Sequence, residues 1–84
     1  MIGLPEDQRG LGSGYFQLGS ALDGIDVPAS LEAKRRALAI FDALLAAAPT
    51  DPEAQRNVAL ACKSLGATLT NLKRYDEMEQ LYRR

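Results

Sequence analysis

The sequence predicts an all-α fold in which antiparallel helical hairpins stack as a short α-solenoid of about four helices. Two observations predict this fold. The composition is 46% hydrophobic but only 6% aromatic, with abundant alanine and leucine, and these two residues favour helices over strands. The chain also contains an internal repeat with helical spacing. Its 84 residues suffice for one small domain.

The repeat aligns residues 5–22 with residues 52–69 at an offset of 47, without gaps. Seven of the 18 aligned pairs are identical, namely Pro5/Pro52, Glu6/Glu53, Gln8/Gln55, Arg9/Arg56, Leu18/Leu65, Gly19/Gly66 and Leu22/Leu69. Five apolar pairs also align: Leu11, Tyr15, Leu18, Leu22 and Ile25 with Val58, Cys62, Leu65, Leu69 and Leu72. Their spacing of 4, 3, 4 and 3 residues marks one helix face. We predict one domain over residues 1–84, with repeat units at about 5–49 and about 50–84, the second with a truncated second helix.

The first predicted helix covers roughly Pro5 to Asp23. Glycines at positions 10, 12 and 14 weaken its first half, because glycine costs about 1 kcal/mol relative to alanine inside a helix. We therefore expect this half to fray, with order only from about Leu11 onward.

The second predicted helix follows the turn at residues 23–28 and runs from about Pro28 to Ala48, ending before Pro49. Its apolar residues form two neighbouring stripes, and such a broad arc is typical of a helix that packs on both sides. Lys34, Arg35 and Asp42 are expected in the remaining, solvent-facing sector.

The third predicted helix starts after residues 50–53, where Thr50 or Asp51 can cap it, and it runs to about Leu72. The fourth begins near Tyr75. Gly19 and Gly66 lie at the same phase of the first and third helices, and we expect them to let the second helix of each hairpin approach closely, around Ser30 and around Met78.

The residues Leu65-Gly66, Leu69, Arg74-Tyr75-Asp76-Glu77 and Tyr82 resemble the tetratricopeptide repeat (TPR) family. In the first unit, Leu18-Gly19, Leu22 and Ala37 carry the likeness. The period of 47 residues exceeds the family's 34 and Lys73 replaces its turn glycine, so the chain resembles an elongated, degenerate TPR. Residues 35–61 also resemble long repeats in large bacterial regulatory proteins, including protein kinases.

The resemblance implies a protein–protein interaction module that binds a peptide or protein through the concave face of its first helices. It implies partner contacts at the groove-facing residues Phe16, Ser20, Asp23, Lys63, Ala67, Thr70 and Asn71, with Arg9 and Arg56 as flanking residues. The alternative for each of them is an ordinary exposed helix residue.

The residue inventory argues against an enzyme. The chain has no histidine, the commonest general base and metal ligand, and its one cysteine cannot form a zinc cluster. Cys62 lies on the apolar stripe of the third helix and is expected to be a core residue. The segment GLGSG lacks a preceding strand and the Lys-Ser/Thr ending of a phosphate loop. We therefore expect no cofactor, no metal and no small-molecule substrate.

Charge and hydropathy narrow the partner classes further. The net charge is −1, and the short basic clusters, including residues 34–36, are offset by acids, so we expect them on solvated faces and expect no binding to nucleic acid. No apolar run is long enough to span a membrane. The N-terminus lacks the pattern of a signal peptide, and the single cysteine suits a reducing compartment, so a cytoplasmic location is expected.

The alternative function is self-association. Met78, Leu81 and Tyr82 form the only apolar stripe of the fourth helix, and two repeat units fall short of the roughly three that a stack usually needs. We expect these three side chains to be partly uncovered. Either a following helix of a longer protein or a second copy of the chain, in a homodimer, would then cover them.

Overall fold

Four helices make up the part of the chain that the structure describes. The structure is a computed structural model; it describes residues 5–83, with side chains from residue 8 onward. The helices are α1 (Pro5–Leu22), α2 (Val27–Ala47), α3 (Pro52–Asn71) and α4 (Tyr75–Tyr82). Residues 1–4, the start of the segment examined for a signal peptide, and Arg84 lie outside the described residues. No strand occurs within residues 5–83, so the all-α prediction is confirmed.

The helices form two stacked hairpins, because α1 packs on α2, α2 also packs on α3, and α3 packs on α4. The prediction that α2 packs on both sides is confirmed. The core lies mainly along α2 and α3, with one residue from α4; its buried members are Leu31, Ala37, Leu38, Phe41, Ala61, Leu65, Leu69 and Leu81.

Local signals place the helix boundaries within about one residue of their predicted positions. Asp26 caps α2, since its Oδ1 accepts a hydrogen bond from the Ala29 amide at 3.2 Å. Asp51 caps α3 through the Glu53 amide at 3.0 Å. Both helices have proline in the first turn, where its missing N–H costs nothing.

Lys73 ends α3 in a left-handed conformation, with φ of 59°. Its amide donates to the carbonyl of Thr70 at 2.9 Å, and the Arg74 amide donates to the carbonyl of Leu69 at 2.8 Å. This pair of bonds is the Schellman motif, in which glycine is the usual residue at the left-handed position. The lysine that replaces the expected turn glycine therefore keeps the glycine's conformation.

The expectation that the first half of α1 frays is wrong, since the helix is continuous from Pro5. Packing explains one of the three glycines. Gly12 lies against Phe41 of α2, and a Cβ atom at Gly12 would lie 2.7 Å from Phe41 Cε1. Glycine at this position admits the buried aromatic ring, so the close contact with α2 offsets the helix propensity that is lost.

The expectation of close approach at the two equivalent glycines is confirmed for Gly19 and wrong in detail for Gly66. A Cβ atom at Gly19 would lie 3.3 Å from the Ser30 carbonyl oxygen. At Gly66, the neighbour is the ring of Tyr82, with Cζ at 2.8 Å from the same hypothetical atom, rather than Met78. Tyr82 lies one turn further along α4 than Met78.

The apolar stripe of α1 is only partly covered, since Tyr15 packs against the core but three other members of the stripe are exposed. Leu11 is 50% exposed, Leu18 is 49% exposed and Ile25, in the turn after α1, is 80% exposed. The equivalent stripe of α3 is better covered: Leu65 is 4% exposed and Leu69 is 2% exposed, although Leu72 at its end is 37% exposed. The reason is that α1 meets α2 through Gly12 and Gly19, which lie on a different side of the helix from Leu11 and Leu18.

Candidate functional site

The candidate site is a cavity of about 260 Å³ where the turn that follows α1, the first half of α2 and the second half of α3 meet. Its lining combines polar and small side chains: Asp23, Gly24, Val27, Lys34, Ser64, Ala67, Thr68 and Asn71. Three of the seven residues predicted to contact a partner line it, namely Asp23, Ala67 and Asn71. Ser20 and Lys63 are exposed but lie outside the lining.

Lys34 organises the cavity from within the protein. The expectation that it faces solvent is wrong, because the residue is only 2% exposed. Its ammonium Nζ donates to Asp23 Oδ1 at 2.9 Å, to Asp23 Oδ2 at 3.0 Å and to Thr68 Oγ1 at 2.7 Å. These contacts use the three N–H groups of the ammonium, so none of them is buried without a hydrogen-bond partner. Lys34 thereby ties α2 to the end of α1 and to α3.

Gly19 makes room for this arrangement. A Cβ atom at Gly19 would lie 2.7 Å from Lys34 Cγ, so glycine lets the lysine stem run across α1. Ser30, which is fully buried, places its hydroxyl 2.7 Å from the Gly19 carbonyl oxygen and 2.8 Å from Asp23 Oδ1. The carboxylate is therefore held at fixed distances by Lys34 and Ser30.

The hydrogen bond from Lys34 is the largest influence on the pKa of Asp23, and with the Ser30 hydroxyl it outweighs partial desolvation and lowers that pKa below its ordinary value of 3.8. The side chain of Asp23 is 51% exposed. The cavity thus presents an ionised carboxylate in a defined orientation, with room for a further hydrogen-bond donor from solvent or from a ligand.

The other predicted partner-binding residues have local contacts of their own. Phe16 is half-buried and packs against the core, so little of its ring is available to a partner. The hydroxyl of Thr70 lies 2.8 Å from the Gly66 carbonyl oxygen and 2.8 Å from Met78 Sδ. Thr70 therefore faces α4 and not the cavity.

The two arginines expected to flank the groove differ in their surroundings. Arg9 pairs with Asp51 at 3.5 Å and with Glu53 at 3.7 Å, and these ion pairs link α1 to the start of α3. Arg56 is exposed. Exposed pairs of this kind contribute little stability, but they place Arg9 beside α3.

The residues predicted for self-association are only partly available. Leu81 is buried in the core, so the expectation that it is uncovered is wrong. Its burial follows from the packing of α4 on α3. Met78 is half-buried against the same core, and Tyr82 is 59% exposed with its ring against Gly66.

A larger, more open groove of about 640 Å³ lies between α2 and α4. Its floor is apolar and contains Leu38, Leu65, Leu69 and Leu81, while Arg35 and Glu77 form an ion pair across it. We favour the smaller cavity as the candidate site because three of the seven residues predicted to contact a partner line it, and because it holds an oriented carboxylate. None of the seven residues predicted to contact a partner lines the groove.

Sequence reasoning missed the roles of Lys34, Ser64 and Thr68. One signal was present in the sequence: Lys34 lies between Ala33 and Ala37, inside the apolar arc of α2, where a charged residue needs a buried partner. Thr68 gave no comparable signal, since threonine is common on exposed helix faces.

No family model, no curated protein and no solved structure matches the chain. None of the helices in residues 5–83 is long and apolar enough to cross a membrane. Across the same residues, no group of three or more cysteine, aspartate and glutamate side chains is placed to hold a metal ion. The candidate site therefore has to be interpreted from its own geometry.

Proposed function

We infer that the chain is a protein–protein interaction module of the elongated TPR type, which binds a peptide or protein segment along the face formed by α1 and α3. The observation that carries this proposal is the cavity between the turn that follows α1, the helix α2 and the helix α3, where Lys34 and Ser30 hold the Asp23 carboxylate and the exposed Asn71 also lies in the lining. The internal repeat and its Leu-Gly pairs support the family assignment.

The chemistry of the cavity indicates what it binds. The Asp23 carboxylate accepts hydrogen bonds, the Asn71 amide both donates and accepts them, and Ser64 adds a polar lining. The positive charge of Lys34 balances the negative charge of Asp23, so the cavity has no net charge to attract an ion. A polypeptide segment that offers N–H groups, from its backbone or a basic side chain, fits these acceptors.

Peptide selection followed by matched variants tests the proposal. Random peptides displayed on phage are selected on the immobilised chain, and the binders are remeasured by fluorescence anisotropy. Ala67→Arg places a long side chain at the cavity and should weaken binding about tenfold or more, equivalent to about 1.4 kcal/mol.

Ala43→Arg is the control, since Ala43 is also an exposed alanine inside a helix but lies on α2, outside the cavity lining. It should leave the affinity unchanged. The proposal is wrong if selection yields no binder, or if the selected peptides bind both variants equally well.

Self-association through α4 has less support. Two tyrosines of α4, Tyr75 and Tyr82, are more than half exposed, but Leu81 is buried in the core of its own chain. Sedimentation equilibrium separates the two functions, because a dimer that persists on dilution favours self-association.

A further inference from the structure

A second interaction surface lies on the side of α1 that no described helix covers. Its exposed residues are Leu11, Gly14, Leu18 and Ala21, and we call them the α1 strip. None of them is charged. Leu11 and Leu18 are each about half exposed, although they belong to the same stripe that is covered in α3.

The internal repeat shows what covers such a strip. At the offset of 47 residues, Gly14, Leu18 and Ala21 correspond to Ala61, Leu65 and Thr68. These three residues of α3 are buried, and α2 lies against them. Leu38 of α2 packs in one cluster with Leu65, and Lys34 of α2 binds Thr68. The α2–α3 interface therefore shows how a helix packs on residues with this spacing.

We propose that the α1 strip is a docking surface for an amphipathic helix of a partner protein, seated as α2 is seated on α3. The occupant repeats the apolar spacing of Leu31 and Leu38, which are seven residues apart and lie on one helix face. The docked helix adds one further layer to the stack, against the uncovered side of α1.

One residue difference between the α1 strip and the equivalent residues of α3 indicates which side chain the occupant has at one position. The hydroxyl of Thr68 accepts a hydrogen bond from the Lys34 ammonium, whereas its counterpart Ala21 has no side-chain acceptor. A lysine at the position of Lys34 would be left without this partner. The occupant therefore has an apolar residue there. At the rim, the guanidinium of Arg36 lies 5.8 Å from the centre of the Tyr15 ring and also pairs with Glu32, which gives the strip a polar border.

A second copy of the chain is a poorer occupant. Its α2 is already packed between α1 and α3, so that face is not free. Its α4, the other second helix of a hairpin, has the Glu79–Arg83 ion pair and Asp76 among its exposed residues. Burying those charges against leucines would be unfavourable.

The test uses a labelled synthetic peptide of residues 27–48, the helix that covers the equivalent strip, titrated into the full chain with anisotropy as the readout. Saturable binding is expected. Leu18→Asp in the chain should weaken it about tenfold or more. Leu60→Asp is the matched control, because Leu60 of α3 is 46% exposed against 49% for Leu18, and it should leave binding unchanged. Circular dichroism confirms that both variants fold.

A second peptide, with Lys34→Met, should bind more tightly than the native peptide, because Ala21 offers the lysine no acceptor.

The proposal is overturned if no saturable binding is found, or if the chain binds equally well with and without Leu18→Asp, as it would if the peptide replaced α2 in the fold. It is also overturned if the wild-type chain is a dimer that Leu18→Asp converts to a monomer, since the occupant would then be a second copy. Peptides selected for the Ala67 cavity should bind the Leu18→Asp chain normally, which keeps this test independent of the proposed function.

Discussion

Helices α1 and α3 carry the same apolar stripe at equivalent positions, yet the stripe of α3 is covered to a much greater extent. Leu65 and Leu69 of α3 lie in the core, whereas Leu18 of α1 is half exposed. The two helices differ in their neighbours: α3 lies between α2 and α4, and α1 contacts α2 through its glycines. An apolar stripe thus identifies a surface suited to packing, and the architecture decides whether the chain itself covers it.

The two equivalent glycines, Gly19 and Gly66, also differ in the neighbours that they contact. Gly19 faces the stem of the buried Lys34 and the backbone of Ser30, and both are fixed in place by further bonds. Gly66 faces the ring of Tyr82, which is 59% exposed and can rotate outward. The same residue at the same register therefore meets a rigid neighbour in one hairpin and a movable one in the other.

Truncating the paired leucines should produce the largest effect. Leu65→Ala removes a fully packed side chain and should lower the free energy of unfolding by about 3 kcal/mol. Leu18→Ala should lower it by less than about 1 kcal/mol, because half of the side chain already faces water. Urea denaturation measures both. Equal losses would show that the α1 stripe is covered in solution, for example by a second copy of the chain.

Adding a methyl group at each glycine should produce a smaller difference. Gly19→Ala should destabilise the protein by about 1–2 kcal/mol, because the new Cβ meets Lys34 Cγ at 2.7 Å and overpacking of this kind is costly. At Gly66, the gain of about 1 kcal/mol in helix propensity offsets a contact that Tyr82 can avoid. Gly66→Ala should therefore be close to neutral in thermal melts. A larger loss at Gly66 than at Gly19 would contradict this account of the two neighbours.

The third prediction concerns the pH dependence of the Lys34–Asp23 ion pair in the first hairpin, which has no equivalent in the second hairpin. The pKa of Asp23 is lower in the folded protein than its ordinary value of 3.8, chiefly because Lys34 donates to it. A lowered pKa in the folded state adds stability above pH 3.8, and that stability is lost as the pH falls further through the folded-state pKa. Asp23→Asn should reduce the fall in urea midpoint between pH 6 and pH 3. The half-exposed carboxylate makes this effect the smallest of the three, and an unchanged pH profile in Asp23→Asn would contradict it.

The helices could be predicted because their signals are local. The caps Asp26 and Asp51 and the prolines beside them act within three residues, and the spacing of 4 and 3 residues marks a helix face directly. For the candidate site, the TPR resemblance named Asp23 and Asn71, which line the same cavity in the structure.

The rest of the site could not be predicted because its partners are distant in sequence. Lys34 is 11 residues from Asp23 and 34 residues from Thr68. A lysine is expected at the surface unless such partners are known, since an unpaired ammonium is costly to bury. The exposure of the α1 stripe was equally hidden, because the spacing of its residues is the same as that of the covered stripe in α3.

The contact of Lys34 with α1 determines how these two helices can align. Within α1 and the turn that follows it, Gly19 and Asp23 are the only glycine and aspartate four residues apart, and Lys34 needs both, one beside its stem and the other at its ammonium. If α1 slid by one turn, about 5.4 Å, Tyr15 would meet the stem and Gly19 would face the ammonium. An apolar side chain in place of Lys34 could pack in either alignment. The lysine therefore selects a single helix register, whatever net stability its ion pair contributes.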